Sequence, residues 1–588
     1  MSNQEQQLFG HPKGLFYLFF AELWERFSYY GMRALLMLYM VNEFFTYITD
    51  ETYREEMSFG IFAAYGSLVY ATPVLGGMIA DKFIGFKKSI MLGGILMALG
   101  HFFMAFYFKS DVLGFEVSAI NHFFFYAALA LLIVGNGFFK PNISTMVGRL
   151  YPEGDDRRDS GFTIFYMGIN SGAFLAPLVC GWLGYEFGWH YGFGAAGIGM
   201  IAGLLVFMKG MNDGVFGDNG NQPAEYVEKK MYGIRTDYFF YLVAALMVPI
   251  AALLVKYNAL EILTDLSIIS NNTWHIVALI SITIYVYIKK NYKTGVLCVL
   301  GYLMIPRLLM MMSSMHLHSA LLLVLGFVII GILVQKMSEL SRIEIFRLLS
   351  VLVLTLLITV FWSFFELAGT AITLFAERNV NLTLLNASQT NAINPGYIIF
   401  LAIPFSMMWV YLSKTQRNPT TPNKFALGIL QLGLGFLVFA MSAQYMDAAG
   451  RTPFMFLMIG YLLLTTGELF ISPIGLSKVT ELSPKSMTAF MMGVYFLSSS
   501  YAHYISGAIA KLTTSNESGV IPEPGFMTTI IEKVTGFAGG YSESSVEGIQ
   551  SLVSYTSVFT QVGVVAIGMA IIAFILSPIL KKWMHGVH

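Results

Sequence analysis

Long apolar segments, each bounded by charged or turn residues, recur along the chain. A bilayer core of about 30 Å needs about 20 apolar residues per helix, so each segment predicts a membrane-spanning helix. Six lie in the first third, at 14–42, 57–80, 88–108, 120–148, 160–185 and 190–209. Six more lie at 343–376, 396–414, 424–444, 453–479, 487–511 and 555–580. The pattern predicts an all-α polytopic membrane protein with two six-helix bundles.

The chain between the two bundles is harder to interpret. Residues 210–236 are polar, and four weaker apolar segments follow at 237–256, 274–288, 294–312 and 318–336. An even number of these four segments must cross the membrane, since an odd number would place Lys581 and Lys582 on the outer side, where positive charge is disfavoured. Two and four crossings both stay open. The expected parts are a first bundle at 1–209, a linker with two to four inserted helices at 210–342, and a second bundle at 343–588.

The positions of basic residues predict the orientation. Lys and Arg are enriched in cytoplasmic loops, and loops 81–88, 149–159 and 209–235 carry them. Both termini are therefore expected in the cytoplasm, with the stretch 513–552 forming a large outer loop. The polar start before a long first span predicts that no signal peptide is cleaved.

Composition supports the membrane class. Hydrophobic residues make up 56% of the chain and charged residues 12%, about half the ~25% of soluble domains. Lys plus Arg equals Asp plus Glu at 35 each, so no charge excess indicates a nucleic-acid partner. Cys180 and Cys298 both lie in apolar segments, which argues against a disulfide or a cysteine-based metal site.

The first span carries charge where hydrocarbon is expected. At about 100° per residue, one arc of roughly 140° holds Glu22, Glu25, Arg26, Tyr29, Tyr30 and Arg33. An ionised side chain at the centre of a membrane helix costs about 2.5–3.5 kcal/mol, so this face should look inward and carry function. Glu22 and Arg26 are i,i+4 neighbours. If another anion draws Arg26 away, the glutamate should bind a proton more readily, unless the pair is fixed and only orients packing.

Two further spans of the first bundle carry polar side chains. Lys140 lies within Phe139-Lys140-Pro141-Asn142, which interrupts the fourth span. A lysine at this depth needs an anion, unless it extends to the membrane interface. Tyr166 and Asn170 share one face of the fifth span, where a hydrogen bond between helices is an equal alternative to a role in binding.

The second bundle supplies acids. Glu366 follows Trp362 by one turn, and Ser472 follows Glu468 by one turn. With Arg26, Arg33 and Lys140 in the first bundle, the interior is polarised and suits a zwitterion. An extended chain advances about 3.3–3.6 Å per residue, so fixed poles would select short peptides.

Glu22-Leu23-Trp24-Glu25-Arg26-Phe27-Ser28-Tyr29-Tyr30-Gly31 resembles the signature of the proton-dependent oligopeptide transporters of the major facilitator superfamily. Residues 76–88 resemble that superfamily's loop after its second helix, and 165–172 resemble a second family signature. The resemblance implies a major facilitator fold and import of di- and tripeptides with protons by alternating access. It implies no cofactor, the proton being the coupling ion, and a place in a lipid bilayer, expected to be the bacterial inner membrane.

The resemblance also implies roles for particular residues. Proton coupling would fall to Glu22, Glu25, Arg26 and Glu366. Arg33 and Glu366 would form an outer gate, which protonation of Glu366 would open. The peptide site implied by the resemblance comprises Arg26, Tyr30, Tyr70, Lys140, Tyr166, Asn170, Trp362, Asn394, Glu468, Ser472 and Tyr495.

Two positions depart from the family's pattern. Leu367 stands where glutamine is usual, and Tyr495 stands where tryptophan is usual. The second difference could change side-chain preference without abolishing transport.

Other functions are weaker fits. Transport of another small anionic or amino-acid-derived solute is possible on the same fold, although a simple anion gives Glu468 nothing to bind. A metalloprotease would need His-Glu-x-x-His, which does not occur, and His503 near Ser498–Ser500 gives the only hint of a serine site. A receptor that does not transport would carry the same residues.

Overall fold

The computed structural model describes residues 7–108, 116–152, 155, 157–256, 326, 329–333, 335–337, 339–484, 487–514, 525–537 and 546–587. By its internal contacts the chain divides into two units. The first consists of Met1–Ala252 and Glu339–His588. It holds the helices and strands described below, except for the last residues of one helix, Leu253–Lys256, which belong to the second. The second is Leu253–Ser338, of which few residues are described.

The first half of the chain forms a bundle of six long helices, called here the N-bundle. They are α1 (Lys13–Tyr39), α2 (Glu51–Ile79), α3 (Phe86–Ala105), α4 (Val117–Arg149), α5 (Arg157–Phe187) and α6 (Trp189–Asn212). π-helical turns at Met40–Phe44 and Ala80–Ile84 extend α1 and α2. The central α1 packs against α5 and α6, while α3 packs against α4 and α6. A short α7 (Ala224–Val227) and a long α8 (Thr236–Lys256) follow.

The second half forms the C-bundle. Its helices are α9 (Arg342–Phe365), α10 (Ala371–Asn379), α11 (Ile393–Lys414), α12 (Thr421–Met441), α13 (Phe454–Leu482), α14 (Thr488–Lys511), α15 (Phe526–Thr535) and α16 (Glu547–Trp583). Short 3₁₀ turns lie at Glu366–Gly369, Ser388–Ala392 and Ser442–Tyr445. In this bundle α12 packs against α13 and α16, and α9 packs against α13 and α14.

The described residues form three two-stranded ladders, each next to the end of a helix. β1 (Gln7–Leu8) pairs antiparallel with β2 (His11–Pro12), and β3 (Lys230–Met231) pairs antiparallel with β4 (Ile234–Arg235). β5 (Val380–Asn381) pairs parallel with β6 (Thr452–Pro453), with Val380 opposite Thr452. The last ladder ties the end of α10 to the start of α13.

Local chemistry explains where two site-bearing helices begin. At α2, the side chain of Asp50 accepts a hydrogen bond from the Tyr53 amide at 3.1 Å. At α9, Ser341 and Glu344 form a reciprocal capping box, in which the Ser341 amide donates to Glu344 Oε2 at 2.9 Å. Both caps satisfy amide groups that have no partner within the helix.

The predicted all-α polytopic class is confirmed. Eleven helices of the described residues are long and apolar enough to cross a membrane, and they include α8. The exceptions among the long helices are α1 and α14. Every 18-residue window of α1 contains Glu22, Glu25 and Arg26, and α14 is interrupted by serine, tyrosine and His503. Charge sets α1 apart and polar residues set α14 apart, and both helices carry candidate site residues.

Some predicted segments differ from the structure. The span expected at 343–376 breaks at the 3₁₀ turn Glu366–Gly369, where Thr370 leaves the helical region with φ −130° and ψ −96°. The stretch expected as a loop at 513–552 contains α15 and the start of α16. The segment predicted at 237–256 is α8, whereas 274–288 and 294–312 lie outside the described residues and 318–336 lies mostly outside them.

The fourth span is not interrupted at Lys140, because α4 continues through Pro141. Proline has no N–H to donate to the carbonyl four residues earlier, which belongs to Gly137. Gly76 of α2 lies directly against that carbonyl, so closely that a Cβ added at Gly76 would be 2.0 Å from the oxygen. The two backbones thus meet where the internal hydrogen bond is missing, and Lys140 is held on a regular helix.

The bundles meet along α2 and α14, and α5 meets α11 and the turn Ser388–Ala392. Polar contacts accompany this packing: Arg378 Nη2 lies 2.9 Å from Glu51 Oε1, and the Tyr185 hydroxyl donates to Glu377 at 3.1 Å. These residues lie near residues 45–50, at the end of α2 opposite the basic loop 81–88, and hence at the predicted outer face. The bundles are therefore in contact on the predicted outer side.

Candidate functional site

The buried charges of α1 form one cluster. Glu22, Glu25 and Arg26 are each at most 3% exposed. Arg26 Nη2 donates to Glu25 Oε1 at 2.6 Å, while Arg26 Nε contacts Glu25 and lies 3.3 Å from Glu22 Oε1. The predicted Glu22–Arg26 contact is present, but Glu25 is the closer partner. Two carboxylates share one guanidinium, which leaves an excess of negative charge that a proton or a cation can balance.

One oxygen of this cluster has no partner. Glu22 Oε2 is buried and accepts no hydrogen bond from the described residues. A buried carboxylate oxygen without a donor is costly, so Glu22 is the acid in the cluster best placed to take up a proton.

Lys140 lies beside Tyr70. Its Nζ is 4.2 Å from the centroid of the Tyr70 ring, a cation–π contact between α4 and α2. Among the described residues no carboxylate oxygen lies within 4.0 Å of Nζ. The ammonium group is therefore free to bind an anion that the protein does not itself supply.

Tyrosines surround the cations of the N-bundle. The Arg26 guanidinium lies 5.2 Å from the centroid of the Tyr29 ring and 6.0 Å from that of Tyr30. On α5, Asn170 Nδ2 donates to the Tyr166 carbonyl at 3.0 Å, and the Tyr166 side chain is 39% exposed. Hydroxyl and aromatic groups thus line the space next to the charged cluster.

The C-bundle contributes a buried acid, Glu468, to this space. Glu468 of α13 is 8% exposed. Asn394 Nδ2, from the first turn of α11, donates to Glu468 Oε2 and to Thr465 Oγ1, both at 3.0 Å. Glu468 is close enough to act electrostatically on Tyr30 and Tyr166 across the bundle interface. The site therefore has a cationic wall and an acidic wall.

Three further predicted site residues lie in the C-bundle. Ser472 follows Glu468 by one turn of α13 and is half-buried. The Tyr495 hydroxyl lies against Gly475 of α13, 3.3 Å from where a Cβ would be. Trp362 packs on Phe365 with ring centroids 5.0 Å apart. Their roles in binding stay predictions.

A second charged cluster joins the bundles nearer the predicted outer face. Arg33 of α1 forms an ion pair with Glu366 in the turn after α9, and the two side chains are 13% and 7% exposed. His503 Nε2, from α14, lies 3.4 Å from the same oxygen, Glu366 Oε2. We call these three residues the outer gate. The sequence indicated Arg33 and Glu366 but associated His503 only with neighbouring serines.

Thr465 and His503 are the polar partners that sequence reasoning missed. Thr465 lies three residues before Glu468, a spacing that places the two on one face of a helix, so a signal was present. His503 meets Glu366 only through tertiary packing. Within the described residues no group of three or more His, Cys, Asp or Glu is arranged to hold a metal ion.

The comparisons with known proteins agree with this geometry. A family model described as the POT family matches residues 87–231 and 276–524, more than half of the chain. The chain is 32% identical over 589 residues to the uncharacterized transporter YclF of Bacillus subtilis, covering 99% of this chain and 97% of the relative. It is 33% identical to the peptide transporter YePEPT of Yersinia enterocolitica, covering 87% of this chain and 90% of that one.

Solved structures match over the full length. A peptide transporter POT in complex with sulfate is 29% identical, with a TM-score of 0.68 and full coverage of both chains. A POT family transporter in complex with 5-aminolevulinic acid is 26% identical, with a TM-score of 0.67 and 98% coverage of both chains. The helices of the two bundles are thus arranged as in these transporters.

Proposed function

We propose that this chain, which belongs to the POT family and is therefore a transporter and not an enzyme, imports di- and tripeptides together with protons. Relatives and structural neighbours named as peptide transporters support peptides as the cargo. The observation that carries the proposal is the site with opposite walls: Arg26 and Lys140 on one side and Glu468 on the other.

The two walls suit the two ends of a peptide. Lys140 Nζ has no carboxylate within 4.0 Å in the described part of the chain and can bind the peptide's carboxyl group. Glu468 can bind the amino group, because a charge-assisted hydrogen bond to an ammonium is stronger than one between neutral groups. Asn394 holds Glu468 in place through one of its amide hydrogens. Fixed walls favour short peptides, since each added residue lengthens the substrate by about 3.3–3.6 Å.

The cluster on α1 supports proton coupling. A peptide carboxylate near Arg26 competes with Glu22 and Glu25 for the guanidinium. The carboxylate that loses its partner is buried, and burial disfavours its charged form. Peptide binding and protonation of Glu22 or Glu25 therefore favour each other. Of the two acids, Glu22 is held more weakly, because its contact with Arg26 Nε is 3.3 Å long and its Oε2 has no donor among the described residues.

The outer gate supports alternating access. The Arg33–Glu366 pair spans the bundle interface, so it must separate when the bundles part at that end. Alternation of such contacts on the two sides of a central site is the mode of major facilitator transporters. With the predicted orientation, both termini lie in the cytoplasm and the gate closes the path from outside, in a bacterial inner membrane.

A second candidate cargo is a small amino-acid-derived solute with separate amino and acidic groups. The structural neighbour that binds 5-aminolevulinic acid supports it. The same two walls would bind both classes of cargo, so a competition assay is needed to distinguish the two candidates.

The test is uptake of radiolabelled dialanine into liposomes that contain the purified protein. For cotransport of one positive charge, a potential of 100 mV by itself allows accumulation of about 50-fold, and an inward proton gradient raises this limit further. We expect accumulation that collapses when an uncoupler removes the gradient. Unlabelled tripeptide should compete, and 5-aminolevulinic acid should compete more weakly. Equal uptake with and without the gradient would contradict proton coupling, and stronger competition by 5-aminolevulinic acid would favour the second cargo.

A further inference from the structure

His503 is a buried histidine whose protonation state the structure constrains. Its side chain is 3% exposed, and its Nδ1 lies 2.9 Å from the carbonyl oxygen of Ser499. A carbonyl oxygen only accepts hydrogen bonds, so Nδ1 must carry a hydrogen. In the neutral ring the other nitrogen, Nε2, then holds a lone pair.

Nε2 lies beside the carboxylate of Glu366. Nε2 lies 3.4 Å from Glu366 Oε2, and it makes no hydrogen bond within the described residues. With His503 neutral and Glu366 ionised, two acceptors would face each other in a buried site. One proton on Nε2 changes this repulsion into an attraction between opposite charges. The gate geometry is therefore favourable only when the His503–Glu366 pair holds a proton.

The neighbours of His503 come from several helices. From α1, Arg33 approaches the same carboxylate, and from α2 the Tyr70 ring lies 4.9 Å from the His503 ring, centroid to centroid. From α4, Lys140 acts on His503 electrostatically and also contacts the Tyr70 ring.

The remaining helices beside α14 add little charge near the gate. On α13, Glu468 acts on Glu366. On α9, charged residues occur only near its start, at Arg342, Glu344 and Arg347. Gly66 of α2 makes room for the ring, since a Cβ there would lie 2.1 Å from His503 Cδ2.

We propose that His503 binds a second proton on Nε2, in addition to the proton taken up by Glu22 or Glu25, and that this second proton holds the outer gate shut. The inference rests on the proposed function and names a proton-carrying residue for it. When the gate is open, a proton from outside bonds to Nε2, and the resulting imidazolium pairs with Glu366, which stays ionised between His503 and Arg33. When that N–H bond breaks and the proton leaves inward, the two acceptors repel and the gate reopens.

Tyr70 links this proton to the peptide. An imidazolium at His503 and the ammonium of Lys140 lie beside the same ring, so each positive charge opposes the other. A peptide carboxylate that neutralises Lys140 removes this opposition. Peptide binding then favours protonation of His503, and by reciprocity protonation favours peptide binding.

The test compares His503→Gln with wild type in liposomes. Glutamine keeps a polar side chain but cannot carry the proton. We expect gradient-driven accumulation of dialanine to fall well below the wild-type level, because only the proton taken up by the α1 cluster remains coupled. Counterflow of labelled against unlabelled dialanine, which needs no net proton movement, should persist, and its rate should lose the pH dependence seen in wild type. His101→Gln is the matched control, because His101 of α3 is fully buried with both ring nitrogens unpartnered in the described residues, and it should retain driven uptake.

The outcomes are distinguishable. If wild type shows no gradient-driven uptake, the proposed function fails, whatever the variant does. If wild type is driven and His503→Gln is driven equally with an unchanged pH profile, the His503 assignment is wrong. Loss of both driven uptake and counterflow in a variant that dialanine still stabilises against heat would also overturn it, since such a defect reflects the gate or the site and not the proton.

Discussion

The Arg33–Glu366 pair gives the account its most quantitative prediction. Glu366→Gln keeps the size of the side chain and removes its charge. The Arg33 and Glu366 side chains are 13% and 7% exposed, so the glutamine variant leaves a nearly buried guanidinium without its counter-ion. Removing one partner of a buried pair costs about 3–5 kcal/mol. Because Arg33 retains slight access to solvent, we take the lower value of ~3 kcal/mol.

This cost applies to only one conformation. When the bundles part on the predicted outer side, both side chains reach water and the pair contributes little. A loss of ~3 kcal/mol from the closed form alone shifts the equilibrium towards the open form by about 150-fold. If wild type is mainly closed, Glu366→Gln should be mainly open.

Electron paramagnetic resonance distances can measure the shift. Spin labels at Tyr53 of α2 and at Leu512, just after α14, occupy exposed positions, 56% and 50% accessible, where the bundles meet. Cys180 and Cys298 are replaced by alanine in every sample. We expect the distance distribution to move to longer values in Glu366→Gln.

Glu225→Gln is the matched control, because it removes the same charge from an exposed pair, whose Lys229 Nζ–Glu225 Oε1 distance is 2.9 Å. Exposed ion pairs of this kind contribute little to stability, so the spin-label distances in Glu225→Gln should match those in wild type. A wild-type distribution in Glu366→Gln would refute the gate assignment.

Further variants test other parts of the site. Glu468→Gln should weaken binding of dialanine by roughly 10- to 150-fold, as expected for losing a charged hydrogen bond of about 1.5–3 kcal/mol. Binding of N-acetyl-dialanine should be unchanged, and equal effects on both peptides would contradict the amino-group assignment. Gly66→Ala should shift the spin-label distances towards the open form, because the added Cβ would overlap His503 at a cost of about 1–3 kcal/mol. Gly493→Ala on α14 is the control, because its Cβ would meet no atom within 4 Å and should leave the distances unchanged. Asp155→Asn tests pH dependence outside the membrane. Hydrogen bonds from Arg157 hold the pKa of Asp155 at about 2. The stabilisation from this pair is therefore complete above the unfolded pKa of about 3.9 and is lost only as the pH falls through 2. The pH profile of transport between about 5 and 8 should therefore be unchanged in Asp155→Asn, and a shifted profile would show that this loop takes part in coupling.

The helices and the charged face of α1 were predictable because both depend on local spacing. Apolar length alone located the spans, and a turn of 3.6 residues placed Glu22, Arg26 and Arg33 on one side of a helix. The same spacing related Ser472 to Glu468. What these residues share is that the helix itself fixes their relative positions.

Features set by packing between distant segments were not predictable in this way. Glu25 and not Glu22 is the closer partner of Arg26, which depends on side-chain rotamers. His503 meets Glu366 across α9 and α14, and the sequence carries no local sign of that contact. Likewise, Glu366 at the break after α9 contacts Arg33, and the Gly137 carbonyl that Pro141 leaves without its helical donor lies against Gly76, and both contacts join segments distant in sequence.

The central claim is that peptide and proton move together through this site. Its most direct test is the pH inside liposomes that contain the protein, followed with a trapped dye when dialanine is added outside at equal pH on both sides. We predict that the lumen acidifies as dialanine enters, and that an inactive solute such as N-acetyl-dialanine amide causes no change. Entry of dialanine without acidification would contradict the account.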